Sequence, residues 1–280
     1  SPTGHLHLGH AYSALLGYRT AQQNAGRFLL RIEDIDRARC RAEFETDLTD
    51  DLAWLGLDWE RPVRRQSDHF DDYRAALAGL ESLGVLYACF CSRKDIAAAA
   101  SAPHAGPDGT AIYPGTCRGL HPDLAAARMA RGDPFALRLD VAKAVARTGP
   151  LVFRDAEPGG REWREVPAEP ERLGDVVLGR RDAPASYHLC ATLDDHLQGI
   201  TLVIRGEDLR PATHIHRLLQ ALLDLATPCY SHHVLLVNGS GERLSKRDGA
   251  VSLRSLRASG MSAGAVRALA GFQDAYAALQ

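Results

Sequence analysis

Ser-Pro-Thr-Gly-His-Leu-His-Leu-Gly-His, residues 1–10, runs a Pro/Gly turn into a His-x-Gly-His quartet at the head of an apolar-periodic stretch. From His10 to about Gln23, Ala11, Leu15, Leu16 and Tyr18 recur on a helical period, and Asn24 to Gly26 supply a stop. Phe28 to Ile32 has strand length. Glu33-Asp-Ile-Asp36 follows at its carboxyl end, where open α/β sheets place ligand-contacting residues. Turn, helix, strand and acidic loop in this order predict an α/β fold.

Further along, Phe44, Leu48, Leu52 and Leu55 mark a second amphipathic helix. A third carries Phe70, Tyr73, Leu77 and Leu80, with Ser67 as the expected N-cap and Gly84 as the expected stop. At Cys89 the texture changes: residues 97–111 and 158–170 are rich in Ala, Pro and Gly with no sustained period, so 89–185 reads as an insertion. Regular texture returns with a strand expected over Gly199 to Ile204 and a helix over Pro211 to Leu223, whose apolar face is Ile215, Leu218, Leu219 and Leu222. The expected division is 1–88 and 186–247 as two halves of one unit, 89–185 between them, and 248–280 as a short helical tail.

Composition excludes several classes. The 280 residues are 45% hydrophobic and 24% charged, an ordinary balance for a folded globular chain. The 33 basic and 35 acidic residues sum to −2, so a nucleic-acid partner must be held by local basic surface. Arg61, Arg64 and Arg65, and Arg243, Lys246, Arg247, Arg254 and Arg257, are the candidate clusters for phosphate, although each Arg alone reads as solvated surface. No apolar run approaches the roughly 20 residues of a membrane span, and no basic start or apolar signal core is present; a soluble cytoplasmic protein is expected. The chain has no initiator Met and reads as starting inside its first motif. Six cysteines are too few for a disulfide scaffold; Cys89, Cys91 and Cys117 suggest a metal, and Cys40, Cys190 and Cys229 unpaired thiols.

Two segments carry phosphate chemistry. A helix N-terminus presents unpaired N–H groups and partial positive charge, to which His7 and His10 add donors, while Gly9 admits close approach to the backbone. Gly241-Glu-Arg-Leu-Ser-Lys-Arg-Asp-Gly249 offers Lys246 as a cation able to follow a phosphoryl transition state, with Ser245 as a donor. A His-x-Gly-His quartet and a distant Leu-Ser-Lys-Arg together resemble the two signatures of class I aminoacyl-tRNA synthetases. Arg31-Ile-Glu-Asp-Ile-Asp36, Tyr187-His-Leu with Asp194-Asp-His-Leu-Gln-Gly199, Ile204-Arg-Gly-Glu-Asp-Leu209 and Arg243-Leu-Ser-Lys-Arg247 resemble the glutamyl branch, in its order.

The resemblance implies a Rossmann-like catalytic domain: a parallel nucleotide-binding sheet with helices on both faces, split by a zinc-carrying insertion. It implies L-glutamate recognition by Ser1, Glu33, Tyr187 and Arg205, and ATP binding by His7, Gly9, His10, Ser245 and Lys246, with His7, His10 and Lys246 catalytic and Mg²⁺ accompanying ATP. Read alone, Arg205 would pair with Glu207 or Asp208, and Tyr187 would pack in the core. The related motif normally opens with a substrate-binding Arg several residues before Ser1. Only residues 248–280 follow Arg247, and Ile35 and Ala191 replace the usual Thr and frequent Asn. These features resemble the short members of the branch, monomers that attach glutamate to queuosine in the anticodon of tRNA(Asp). The rivals are a catalytic portion of an enzyme charging tRNA(Glu) and a non-catalytic RNA-binding paralogue.

Three thiols leave one place in a tetrahedral Zn²⁺ site, with Tyr113, His104 and His121 as candidates. The resemblance favours Tyr113 and a structural role for the metal.

Overall fold

The computed structural model describes residues 1–92, 94–96, 112–157, 162–180, 184–236 and 251–272. Helix α1 (Leu8–Gln23) leads into β1 (Leu29–Ile32), followed by α2 (Ala42–Trp54), β2 (Glu60–Arg65), α3 (Phe70–Ser82) and β3 (Leu86–Cys89). Then come α4 (Pro122–Ala130), β4 (Ala136–Leu139), α5 (Val141–Thr148), β5 (Val152–Ala156), β6 (Arg164–Pro167) and β7 (Val177–Gly179). The chain continues through α6 (Tyr187–Leu197), β8 (Leu202–Gly206), α7 (Arg210–Leu222), β9 (Cys229–His233), α8 (Leu253–Ala258) and α9 (Ala263–Leu269).

The α/β expectation holds. Strand β1 pairs parallel with β2, while β8 pairs parallel with β9 and β9 with β5, whose other edge takes β6 antiparallel. Strands β3, β4 and β7 form a separate antiparallel sheet. Strand β5 is thus an element of 89–185 that joins the sheet of β8 and β9, because its edge is the one β9 leaves open.

Two cores hold these layers. Tyr73, Leu80, Leu139, Leu178, Leu189, Ile215, Leu218 and Leu219 bury α3, α6 and α7 against the antiparallel sheet. Leu6, Leu15, Leu16, Leu52, Leu55, Trp59, Leu253 and Val266 pack the His-x-Gly-His turn and α1 onto α2, α8 and α9. Each fully buried leucine contributes about 1.5–3 kcal/mol, so the turn is held by the same apolar burial that holds the helices.

Three local expectations are corrected. Ser67 does not cap α3; His69 occupies that position, and Ser67 turns its hydroxyl and backbone N–H onto Asp34 at 2.7 and 2.9 Å. The strand expected at Gly199 begins at Leu202, because α6 is capped by Gln198 and Gly199 takes a left-handed φ of 64° to reverse the chain. Helix α1 starts at Leu8 rather than His10, since His7 takes an extended conformation and becomes the cap.

Candidate active site

The His-x-Gly-His quartet is a reciprocal cap. His7 Nδ1 accepts from the Gly9 N–H, and His10 Nδ1 accepts from the His7 N–H, both at 3.1 Å. These bonds commit each Nδ1 lone pair, so each neutral ring carries its proton on Nε2. The rings lie 3.9 Å apart between centroids. At Gly9 a Cβ would lie 3.0 Å from His7 Cε1, against the ring that caps the helix, so the cap itself also requires a glycine.

A cavity of about 1310 Å³ lies between β1 and β8, with Ser1, His10, Ser13, Arg31, Glu33 and Asp195 in its lining. That exceeds the ~300–1000 Å³ usual for one small ligand. Ser1 is exposed at its rim. Arg31 on β1 donates to Asp195 at 2.8 Å and Gln198 at 3.0 Å, and its Nε lies 3.6 Å from Glu33. Burial acts to lower the Arg31 pKa, but Asp195 and Glu33 more than reverse it, holding the guanidinium charged; burial raises Asp195 despite Arg31. Asp194, fully buried beside it, accepts from Arg64, Gln66 and Tyr73. Carboxylates therefore crowd this end of the site.

The other end is cationic. Arg205 is buried, and its hydrogen bonds run to Tyr187 Oη at 3.2 Å, Thr213 Oγ1 at 2.6 Å, and His216 Nδ1 and His232 Nε2 at 3.3 Å. Glu207 and Asp208 are not among its partners, and no carboxylate of the described residues lies within 4.0 Å of it. Tyr187 is half-buried, and its hydroxyl oxygen accepts from Arg205. Burial raises its pKa, with Arg205 opposing and Glu33 adding to the rise. Neither Tyr187 nor Arg205 lines the large cavity itself.

Ser245, Lys246, Arg243 and Arg247 lie outside the described residues. The chain is described again from Val251, where Ser252 bridges His7 and the Leu253 N–H donates to Leu6 carbonyl at 2.8 Å. Asp47 on α2 reinforces this junction, 3.0 Å from His5 and 2.8 Å from Arg254. The candidate RNA-binding arginines are correspondingly occupied: Arg64 by Asp194 and Asp72, Arg65 by Asp34 and Glu45, Arg254 by Asp47 and Arg257 by Asp51. Arg61, exposed, stacks over Trp59.

Cys89, Cys91 and Cys117 converge, with ligand atoms all within 4.8 Å of one another. Tyr113 Oη lies 3.3 Å from Cys89 Sγ and 3.7 Å from Cys91 Sγ, and Cys91 and Cys117 sulfurs are 3.5 Å apart. Zn–S bonds of about 2.3 Å in a tetrahedron put ligand atoms about 3.8 Å apart, so this set fits a divalent metal. His121 instead caps α4, and His104 is outside the described residues. Burial pushes the Cys91 thiol up to about 11. Cys40, Cys190 and Cys229 are free, as expected.

Sequence reasoning missed Thr213, His216, His232 and Asp155. His232-His233 at the end of a strand was the available signal, since histidines at the carboxyl end of a buried strand sit where α/β sheets place ligand chemistry. Asp194-Asp195 stood in a quoted block without a role.

Comparison with known proteins agrees with this arrangement. The family described as class I tRNA synthetases (E and Q), catalytic domain, matches residues 1–269. A glutamyl-Q tRNA(Asp) synthetase of Rhodobacter capsulatus is 49% identical over 278 residues, covering 97% of both chains. A glutamate–tRNA ligase of Aquifex aeolicus is 38% identical over 93% of this chain but only 53% of its own length. The solved glutamate-tRNA synthetase of Elizabethkingia anophelis superposes with a TM-score of 0.72 at 27% identity, over 89% of this chain and 51% of that one. The chain thus spans about half the length of that structure. With the capped His-x-Gly-His helix, the oppositely charged ends of the site and these relatives together, the chain belongs to the glutamyl and glutaminyl family of class I tRNA synthetase catalytic domains.

Proposed function

We propose that the chain activates L-glutamate with ATP and transfers it to the queuosine base of tRNA(Asp), acting as a cytoplasmic monomer. One observation carries the substrate: a buried arginine with neutral partners stands beside Tyr187, and a crowd of carboxylates at Glu33 and Asp195 stands within its electrostatic reach. A zwitterion with an extra side-chain carboxylate complements both ends. Arg205 and Tyr187 hold that carboxylate, Glu33 takes the ammonium, and Ser1 closes the rim. The relatives named glutamyl-Q tRNA(Asp) synthetase, two of them 49% and 42% identical, support the acceptor.

In the reaction, a glutamate α-carboxylate oxygen attacks the α-phosphorus of ATP and pyrophosphate leaves. A hydroxyl of the queuosine cyclopentenediol then attacks the acyl carbon and AMP leaves, so no covalent enzyme intermediate is needed. The Nε2–H tautomers fixed at His7 and His10 supply donors at a helix N-terminus beside Gly9, which suits charge developing on phosphate. Lys246 and Ser245 act with them, and Mg²⁺ screens the ATP phosphates. Zn²⁺ held by Cys89, Cys91, Tyr113 and Cys117 would tie β3 to the segment after residue 111. We read 1–88 and 186–247 as the catalytic halves, 89–185 as the insertion and 248–280 as a short helical segment.

The test supplies labelled glutamate and ATP to the full-length protein with queuosine-containing tRNA and with matched tRNA lacking queuosine. Label on tRNA(Asp) in the first pool alone is the expected result. Label on tRNA(Glu) in both pools overturns the acceptor and leaves a protein-synthesis enzyme; no label in either overturns the activity.

A further inference from the structure

We propose that Thr213, His232 and Asp155 form a hydrogen-bonded relay that fixes the orientation of the Arg205 guanidinium, making all three positioning residues for recognition of the substrate carboxylate. The inference rests on the reading of Arg205 as the carboxylate anchor.

The geometry determines most of the proton positions. Arg205 has only donors, so each of its four contacts must accept. His232 therefore accepts at Nε2 and carries its proton on Nδ1, which faces Asp155 Oδ1 at 3.1 Å. Thr213 Oγ1 accepts from Arg205 Nη2 at 2.6 Å and lies 3.2 Å from His232 Nε2, whose one lone pair faces both Thr213 and Arg205 Nε. His216 likewise accepts at Nδ1 and turns its Nε2 proton toward His188 Nδ1, 3.4 Å away.

Charge explains why the acceptors are neutral. A carboxylate touching Arg205 would compensate the guanidinium and compete with the substrate. Asp155 stands one imidazole away, and its second oxygen is paired with Arg210. It orients His232 without occupying the face of Arg205 that the substrate needs, as the carboxylate of a catalytic triad orients its histidine. Burial lowers both His232 and His216 below the ordinary imidazole value, which keeps them acceptors. The relay also spans β5, β8, α7 and β9, so β5 of the 89–185 segment contributes to a site whose named ligand residues lie elsewhere.

Three variants separate orientation from packing. Thr213→Val keeps the shape and removes the hydroxyl; Thr213→Ser restores it. Asp155→Asn turns its amide oxygen to Arg210 and its NH₂ to His232, which moves the imidazole proton to Nε2 and sets donor against donor at Arg205. In pyrophosphate exchange on the full-length protein with its tRNA pool, Thr213→Val and Asp155→Asn are expected to raise the glutamate KM ~10-fold, leaving the ATP KM and kcat within about threefold. Thr213→Ser is expected to return it to near wild type. Long-range ¹H–¹⁵N spectra should show the His232 proton on Nδ1 in the wild type and on Nε2 in Asp155→Asn. An unchanged glutamate KM in Thr213→Val, or equal losses in ATP KM, kcat and melting temperature, overturns the relay. Arg205→Gln is the separate control: an unchanged glutamate KM there overturns the anchor reading and the relay with it, whereas a raised value with a silent Thr213→Val overturns the relay alone.

Discussion

Arg31 Nη2 donates to Asp195 Oδ1 at 2.8 Å across 164 residues of chain, tying β1 to α6 at the mouth of the cavity. Neighbouring Asp194 extends the tie inward to Arg64, Gln66 and Tyr73. Two consecutive aspartates thus hold the first and second halves of the fold together by charge-assisted hydrogen bonds, where apolar contact alone would not set the register.

Removing the inner carboxylate should be severe. Asp194→Ala leaves the Arg64 guanidinium and the Tyr73 hydroxyl without their acceptor in the interior. A loss of about 3–5 kcal/mol is expected in denaturant unfolding. A loss below ~1 kcal/mol would show that the halves are held by packing.

Asp51 should behave oppositely. It is fully buried, and both its oxygens lack hydrogen bonds, although Arg257 Nη2 stands 3.2 Å away at a poor angle. Burial raises its pKa, with Arg257 only partly opposing. A raised folded pKa means that its contribution to stability is present below the unfolded value of about 3.9 and is lost as pH rises through the folded value. Asp51→Asn is therefore expected to melt higher than wild type near neutral pH, with the gap closing in acid as the wild-type carboxyl protonates. Melting curves across that range check it; a lower neutral melting temperature would mean the Arg257 pair outweighs desolvation.

His10→Ala removes two things at once, the acceptor that caps the His7 N–H and the Nε2–H donor. A stability loss of ~0.5–2 kcal/mol is expected from the cap. A kcat loss of ~10²–10³ in pyrophosphate exchange is expected if the donor meets the transition state. A stability loss with kcat intact would reduce the quartet to a helix cap.

The thiol cluster predicts one zinc per chain by elemental analysis, lost on treatment with a strong chelator. Cys117→Ser should lower both metal content and melting temperature, since a bound structural metal adds its binding free energy to folding. A metal-free protein with an unchanged melt after chelator would leave Cys89, Cys91 and Cys117 as plain buried thiols.

How much of this was legible depended on the range of the interaction. Apolar periodicity gave α1, α2, α3 and α7 within a few residues, because burial of one helix face is written locally at 3.6-residue spacing. Caps were less certain. Ser67 reads as an N-cap until Asp34, 33 residues earlier, claims both its donors. The strand at Leu202 slipped because a left-handed Gly199 costs nothing locally and is chosen by the turn the helix must make.

The sequence by itself determined the α/β class, the helix-heading His-x-Gly-His turn, the cysteine set and the block order that carries the family resemblance, all of which reside in residue type and spacing along one strand or helix. Only the tertiary structure decided that Tyr113 rather than His121 meets the thiols, that Arg64, Arg65, Arg254 and Arg257 pair with carboxylates of this chain, and that Arg205 rests on Thr213, His216 and His232. Charges and hydrogen-bond donors choose partners by distance in space, and no periodicity along the chain encodes that distance.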